Sequence, residues 1–190
     1  MTAAGLPLRV AYQGVPGAYS EECAAALFPQ ATLSGERTFA AVFTALERGG
    51  ADAALVPVEN STAGAVADVY DLLLGHEGLV VVGEAILGVR HCLLGLPGAR
   101  LDDVHEARSH PQALAQSEEF LRVKGIAARE AYDTAGAARD VRDLGDPRVA
   151  AVASRRAATQ LGLAVLAKDI QTTDDNSTRF FVLARRDDPG

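Results

Sequence analysis

Short apolar runs alternate along this chain with stretches in which apolar residues recur at three- and four-residue spacing, and that alternation predicts βαβ units. Leu8-Arg9-Val10-Ala11-Tyr12 alternates and ends at Gly14, which reads as a strand delivering a glycine loop. Ser20, with Glu21 and Glu22 behind it, starts a helix, because acidic side chains in the first turn favour its positive end. That helix stops near Leu27, before Pro29. Thr38 caps the next, whose Phe39, Val42, Phe43 and Leu46 form an apolar stripe that Gly49-Gly50 terminates. Residues 53–58 are almost continuously apolar, as in a parallel strand covered on both faces. Past Gly64, the residues Val66, Val69, Tyr70, Leu72 and Leu73 mark a further amphipathic helix, closed by Gly75.

Residues 79–94 are too long an apolar run for one ordinary strand and predict a strand that leaves one sheet, crosses, and enters another. The alternation then repeats. Residues 106–109 read as a short strand, and Pro111 opens a helix carrying Gln112, Leu114, Gln116, Phe120 and Leu121, since a missing N–H costs nothing at the first helical position. Thr134 is expected to cap residues 135–144. Residues 149–153 form a strand, Ser154 caps residues 155–161, and Gly162 stops that helix. Residues 164–170 are the last strand of this half; 172–175 cross back, and 179–184 rejoin the first sheet. The expected architecture is α/β and two-lobed, with mostly parallel sheets and a double crossover: residues 6–85 plus 177–186 in one lobe and 86–176 in the other. Ligands sit outside the carboxyl ends of parallel strands, which directs residues 14–20, 60–64 and 109–112 toward a cleft between the lobes.

Composition narrows the function. The 190 residues are 48% hydrophobic without a single Trp, so the core is largely Ala, Val and Leu. Nothing approaches the roughly 20 uninterrupted apolar residues of a membrane span, and residues 1–5 have neither a basic start nor a long apolar run. A cytoplasmic protein with no membrane partner is expected. Cys23 and Cys92 stand far apart, and His76, His91, His105 and His110 show no metal-ligand spacing, so no metal is expected. A net charge of −7 argues against a nucleic-acid partner. An anionic ligand would therefore depend on local cations, with Arg179 and Arg90 the first candidates, and on backbone N–H groups. Gly14-x-x-Gly17 lacks the G-K-[ST] of a phosphate loop and the G-x-G-x-x-G of a dinucleotide site, so no cofactor is expected.

Four polar stretches stand at the predicted junctions. They are Gly14-Val15-Pro16-Gly17-Ala18-Tyr19-Ser20-Glu21, Glu59-Asn60-Ser61-Thr62-Ala63-Gly64, Ser109-His110-Pro111-Gln112-Ala113-Leu114-Ala115-Gln116 and Asn176-Ser177-Thr178-Arg179-Phe180-Phe181. Each alone would pass as a tight turn, a helix cap or a polar lead into a strand. Thr178 and Arg179 are consecutive, so on a strand they point to opposite faces unless the turn bends the backbone. Glu59 reads as structural, and His110 as a solvent-facing residue before Pro111. Taken together and in this order, with Asp133-Thr134-Ala135-Gly136-Ala137-Ala138 between, the set resembles the catalytic domain of prephenate dehydratase over residues 8–183.

The resemblance implies a periplasmic binding protein-like (type II) fold and a carbon–oxygen lyase of L-phenylalanine biosynthesis that needs no cofactor. It implies decarboxylative dehydration of prephenate to phenylpyruvate, carbon dioxide and water, or the same chemistry on arogenate. A small-anion binding protein of the same fold is the non-enzymatic alternative. By the resemblance, Thr178 donates to the departing hydroxyl, with Asn60, Ser109 and Gln116 also catalytic. Ser61, Gln112, Arg179, Gly17, Ala18 and Tyr19 bind substrate, Arg179 holding the side-chain carboxylate. The family associates as homo-oligomers, dimers or tetramers. It commonly adds a C-terminal phenylalanine-sensing domain of the ACT type, and this chain ends just past the catalytic unit.

Overall fold

The computed structural model describes residues 7–186. Residues 1–6 and 187–190, which include Leu6 at the expected start of the first lobe, lie outside the described residues. In chain order the elements are β1 (Arg9–Gln13), α1 (Tyr19–Leu27), β2 (Thr32–Glu36), α2 (Phe39–Glu47), β3 (Ala53–Asn60), β4 (Gly64–Ala65), α3 (Ala67–Gly75) and β5 (Leu79–Gly88). There follow β6 (Cys92–Gly95), a 3-10 turn (Leu101–Asp103), β7 (Glu106–Ser109), α4 (Pro111–Gln116), α5 (Glu118–Lys124), β8 (Ala127–Glu130) and α6 (Thr134–Leu144). The last elements are β9 (Val149–Ala153), α7 (Arg155–Leu161), β10 (Ala164–Ala167) and β11 (Ser177–Arg185). The chain divides into two compact units. Unit 1 takes the described residues up to Val15, then Tyr19–Gly88, and the chain from Asn176 onward; unit 2 is Pro16–Ala18 with Val89–Asp175.

The sheet of unit 1 runs β2-β1-β3-β11-β5, with β4 added beside β3. β1 pairs in parallel with β2 and β3, whereas β11 is antiparallel to both β3 and β5. The sheet of unit 2 runs β10-β6-β9-β7-β8, parallel at β9-β7-β8 and antiparallel at β10-β6-β9. Both sheets are thus mixed rather than mostly parallel. The antiparallel ladders are those of β6 and β11, the strands that enter each sheet straight from a crossing with no helix crossover to set them parallel, and of the short β4 beside β3.

Alternation along β3 sends its apolar residues to both faces. Ala54, Val56 and Val58 pack with Phe43, Leu46, Val69 and Leu183 under α2 and α3, while Ala53 and Leu55 pack with Val10, Cys23, Ala24 and Phe180 under α1. Unit 2 is built alike. Leu94, Ala151 and Ala153 face α6 and α7; Leu93, Ala150 and Val152 face α4 and α5. The helices over β9 present Ala137, Ala138, Ala157 and Ala158, small side chains that let helix and sheet approach closely.

Caps follow the local sequence: Thr38 Oγ1 accepts from Ala41 N at 3.1 Å, and Ser154 Oγ accepts from Ala157 N at 3.0 Å. α6 is capped by Asp133, one residue before the Thr134 expected; its carboxylate accepts from Gly136 N. Three strands escape the sequence pattern, one of them the two-residue β4. β2 and β8 lie at sheet edges and are exposed along most of their length, so Thr32-Leu33-Ser34-Gly35-Glu36 and Ala127-Ala128-Arg129-Glu130 carry no apolar run to betray them. The single helix expected after Pro111 is broken at Ser117. Gln116, the last residue of α4, gives its carbonyl to Thr172 N at 2.7 Å, and the chain resumes as α5.

Candidate active site

In unit 1 the end of β3 meets the start of β11, with Thr178 directly opposite Asn60. Directly opposed residues of an antiparallel pair share a face, with Cβ atoms about 4.5–5.5 Å apart, so the Asn60 amide reaches the Thr178 hydroxyl. Asn60 Nδ2 lies 3.0 Å from Thr178 Oγ1, 2.9 Å from Asn176 Oδ1 and 3.1 Å from the Ser177 carbonyl. Asn60 Oδ1 accepts from Thr62 N (3.1 Å), Thr62 Oγ1 (2.7 Å) and Ala63 N (3.0 Å), closing an Asx turn over the end of β3. Backbone N–H groups on one side and carbonyl oxygens on the other fix which way this amide points. Thr178 Oγ1 is therefore an acceptor from Asn60, and its own proton points elsewhere.

Ser61 completes the clamp. Its N–H donates to the Ser177 carbonyl at 2.9 Å, and its Oγ accepts from Ser177 N at 3.0 Å. Asn176 is buried at 3% exposure, a depth a polar side chain tolerates only when hydrogen-bonded. Asn176, Thr178 and Thr62, which bond to the Asn60 side chain, and Ser61, which bonds to Ser177, are neutral, so these contacts are between oriented dipoles.

Arg179 does not join them. Its Nε and Nη2 donate to Glu84 Oε2 on β5 at 3.0 and 2.6 Å, and its guanidinium lies 5.2 Å from the centroid of Phe181, two residues on. Phe181 packs on the α2 and α3 side of the sheet, and Phe180, sharing the Thr178 face, on the α1 side. Strand alternation thus separates the Thr178 hydroxyl from the Arg179 guanidinium, as expected of consecutive strand positions with no bend between them. The bulge between Arg179 and Phe180 lies beyond them. The Glu84 carboxylate raises the Arg179 pKa above its ordinary value. Arg179→Ala is expected to change turnover less than about tenfold, any effect appearing in KM, since it breaks an exposed ion pair. Steady-state kinetics check this, and a loss confined to kcat would contradict it.

Unit 2 holds the remaining expected residues apart from Tyr19, which falls in unit 1. Ser109, at the end of β7, is fully buried, and its hydroxyl donates to the Val152 carbonyl at 2.5 Å. His110 is exposed and caps α4, its Nδ1 accepting from Gln112 N at 3.2 Å. Gln112 and Gln116 are one helical turn apart and half-buried. Gln116 Oε1 lies 2.8 Å from Nε2 of His91, a buried imidazole whose pKa burial pushes below its usual value, the Gln116 bond opposing. Arg90, the other cation considered, is ion-paired to Asp174.

Gly17 has φ +96° and its carbonyl accepts from Ser154 Oγ at 2.8 Å. A Cβ there would stand 3.0 Å from both Cα and Cβ of Ala157. The glycine is demanded twice, by its conformation and by the approach of α7. Ala18 follows, and Tyr19 opens α1. Gly17→Ala is expected to lower stability by about 1–3 kcal/mol, measured by chemical denaturation. Sequence reasoning gave no role to Asn176 or His91. The first stood visible in Asn176-Ser177-Thr178; the second was hidden in an apolar run.

Two mixed sheets flanked by helices, with neutral hydrogen-bonding side chains at strand ends and helix starts, define the class: a mixed α/β protein. The family model for prephenate dehydratase matches residues 10–188, and the chain belongs to that family. It is 48% identical over 183 residues to arogenate dehydratase/prephenate dehydratase 2, chloroplastic, of Arabidopsis thaliana, covering 95% of this chain and 47% of that protein. To arogenate dehydratase 1 of Petunia hybrida it is 50% identical over 183 residues, 95% of this chain and 43% of the other. The chain therefore spans about half the length of these curated relatives. Among solved structures, prephenate dehydratase from Arthrobacter aurescens in complex with L-Phe superposes with TM-score 0.86 at 27% identity, covering 96% of this chain and 61% of that one. A protein described as GqqA, a novel type of quorum quenching acylase, gives TM-score 0.88 at 40% identity, covering 94% and 64%. No helix among the described residues is long and apolar enough to cross a membrane.

Proposed function

We propose that this chain carries a carbon–oxygen lyase that converts prephenate to phenylpyruvate. The observation that supports it most is the Thr178 hydroxyl held by Asn60 Nδ2 at 3.0 Å, at a strand end within the residues the family model matches. The prephenate dianion takes up one proton and yields phenylpyruvate, carbon dioxide and water. The ring carboxylate leaves as carbon dioxide, its electron pair moves through the diene, and the hydroxyl across the ring departs with the added proton. Aromatisation drives the reaction, so what the protein must supply is help to a poor leaving group.

Thr178 gives that help as a donor. An N–H bond received at Oγ1 polarises the hydroxyl and strengthens its outgoing bond, while the proton itself comes from water, since threonine is too weak an acid to supply it. A neutral surround suits the other half of the chemistry, because an ion pair on the ring carboxylate would hold it back from losing carbon dioxide. Gln112 and Gln116, with Ser61, Gly17, Ala18 and Tyr19, are assigned to substrate by the same reading, and Ser109 would meet it only by turning its hydroxyl from the Val152 carbonyl. Arg179 would take a carboxylate only by exchanging Glu84 for it. The hydroxyl bonds to an amide, with neither imidazole nor carboxylate on it among its described contacts; this favours donation over nucleophilic attack.

The relatives' names favour arogenate as a second substrate, giving phenylalanine in place of phenylpyruvate. Incubation with each compound, following phenylpyruvate by absorbance and phenylalanine by chromatography, tests both. Turnover of prephenate is the expected result. Binding without turnover of either would leave an anion-binding protein and overturn the reading.

A further inference from the structure

His91 lies at 2% exposure just before β6, within Val89-Arg90-His91-Cys92-Leu93, where an aliphatic side chain would be buried at lower cost. Its backbone is pinned on both sides: the N–H donates to Gln171 Oε1 at 3.0 Å, and the carbonyl accepts from Ile170 N at 3.0 Å. The next residue along that segment, Thr172, donates from N to the Gln116 carbonyl at 2.7 Å. His91 and Gln116 are thus tied to one stretch, residues 170–172, and to each other through the 2.8 Å contact between Nε2 and Oε1.

An amide oxygen only accepts, so Nε2 of His91 is the nitrogen that bears hydrogen. The terminal torsion of glutamine is broad and nearly two-fold, and its two settings present opposite groups to whatever lies beyond, an oxygen or an NH2. With Oε1 held on His91, the NH2 is turned away from the imidazole. A substrate bearing carboxylates and a hydroxyl needs that donor, and the flipped amide would offer it a repelling oxygen.

We propose that His91 is a positioning residue for the dehydration, whose Nε2–H locks the Gln116 amide with its NH2 presented to the substrate. The inference rests on the assignment of Gln116 to substrate under the proposed function. It goes further in naming what sets that side chain's polarity. Leucine at position 91 would fill similar space with no donor, and the amide would then sample both settings; glutamine would restore a donor from a flexible side chain.

The experiment has two arms on the full chain. Nitrogen NMR of the wild-type imidazoles is expected to show His91 neutral with hydrogen on Nε2; hydrogen on Nδ1 alone would mean that Gln116 donates to His91, and would overturn the proposal. In the kinetic arm, His91→Leu is expected to lower kcat/KM by about 10–100-fold, the loss of one hydrogen bond to a group that binds charge. His91→Gln should recover most of it, and His91→Leu should add nothing in a Gln116→Ala background. A Gln116→Ala variant with full activity would sink the assignment of Gln116 itself. An impaired Gln116→Ala beside a fully active His91→Leu would sink the positioning role alone. Should His91→Leu fail to fold, the wild-type tautomer still decides.

Discussion

Thr178→Ala is expected to lower turnover of prephenate by about 10²–10³-fold, the usual worth of one oriented donor at a developing charge, while KM moves less than about threefold. The asymmetry follows from when the contact matters. Hydroxide leaving from the ring gathers negative charge only as the bond breaks, so a donor aimed at that oxygen stabilises the transition state more than the bound substrate. Thr178→Ser keeps the hydroxyl opposite Asn60 and should retain most of the rate, with some loss because serine rotates more freely than the β-branched side chain. Stopped assays at saturating substrate read the turnover directly. Alanine within about threefold of the wild-type rate would remove Thr178 from the chemistry.

Asn60→Asp is expected to be nearly as damaging with almost no change in shape. The Asx turn survives, because a carboxylate oxygen accepts from Thr62 and Ala63 as the amide oxygen does. The other oxygen, however, would face Thr178 Oγ1, Asn176 Oδ1 and the Ser177 carbonyl, where Asn60 now offers N–H. A carboxylate cannot donate, so the Thr178 hydroxyl would turn its proton onto it and away from the substrate. Turnover should fall by about 10²-fold or more, comparable to losing an oriented donor. Stability should drop by about 1–3 kcal/mol because the buried Asn176 oxygen exchanges the N–H of Asn60 for a carboxylate oxygen. Crowding by oxygen lone pairs raises the pKa of the introduced carboxyl, and its protonated form can donate once. Activity should therefore recover in part as the pH is lowered through that pKa, whereas Thr178→Ala should show no such recovery. A pH-independent loss would contradict this account.

The amino-acid pattern by itself determined whatever is settled within one or two turns of chain. The stripe of Phe39, Val42, Phe43 and Leu46 with its Thr38 cap, the buried run of β3, Pro111 at the head of α4, and Ser154 ahead of α7 are all present where the spacing puts them. The reading of residues 79–94 as a passage between sheets was legible too, because no single strand is that long and apolar; β5 and β6 share it. β2 and β8 were not legible, since an exposed edge strand is held by its neighbour's backbone, to which side-chain hydropathy is blind.

Only the tertiary structure decided how the polar residues work. The bond from Thr38 spans three residues, whereas that from Asn60 to Thr178 spans 118 and exists because β11 returns antiparallel to β3 in one register. A shift of one residue would have turned Thr178 to the other face and brought Arg179 in its place. The same register sends Arg179 to Glu84, and the fold of unit 2 alone carries His91 to Gln116. Side-chain identity supplies the donors and acceptors; which of them meet depends on strand pairing and packing that no local spacing encodes.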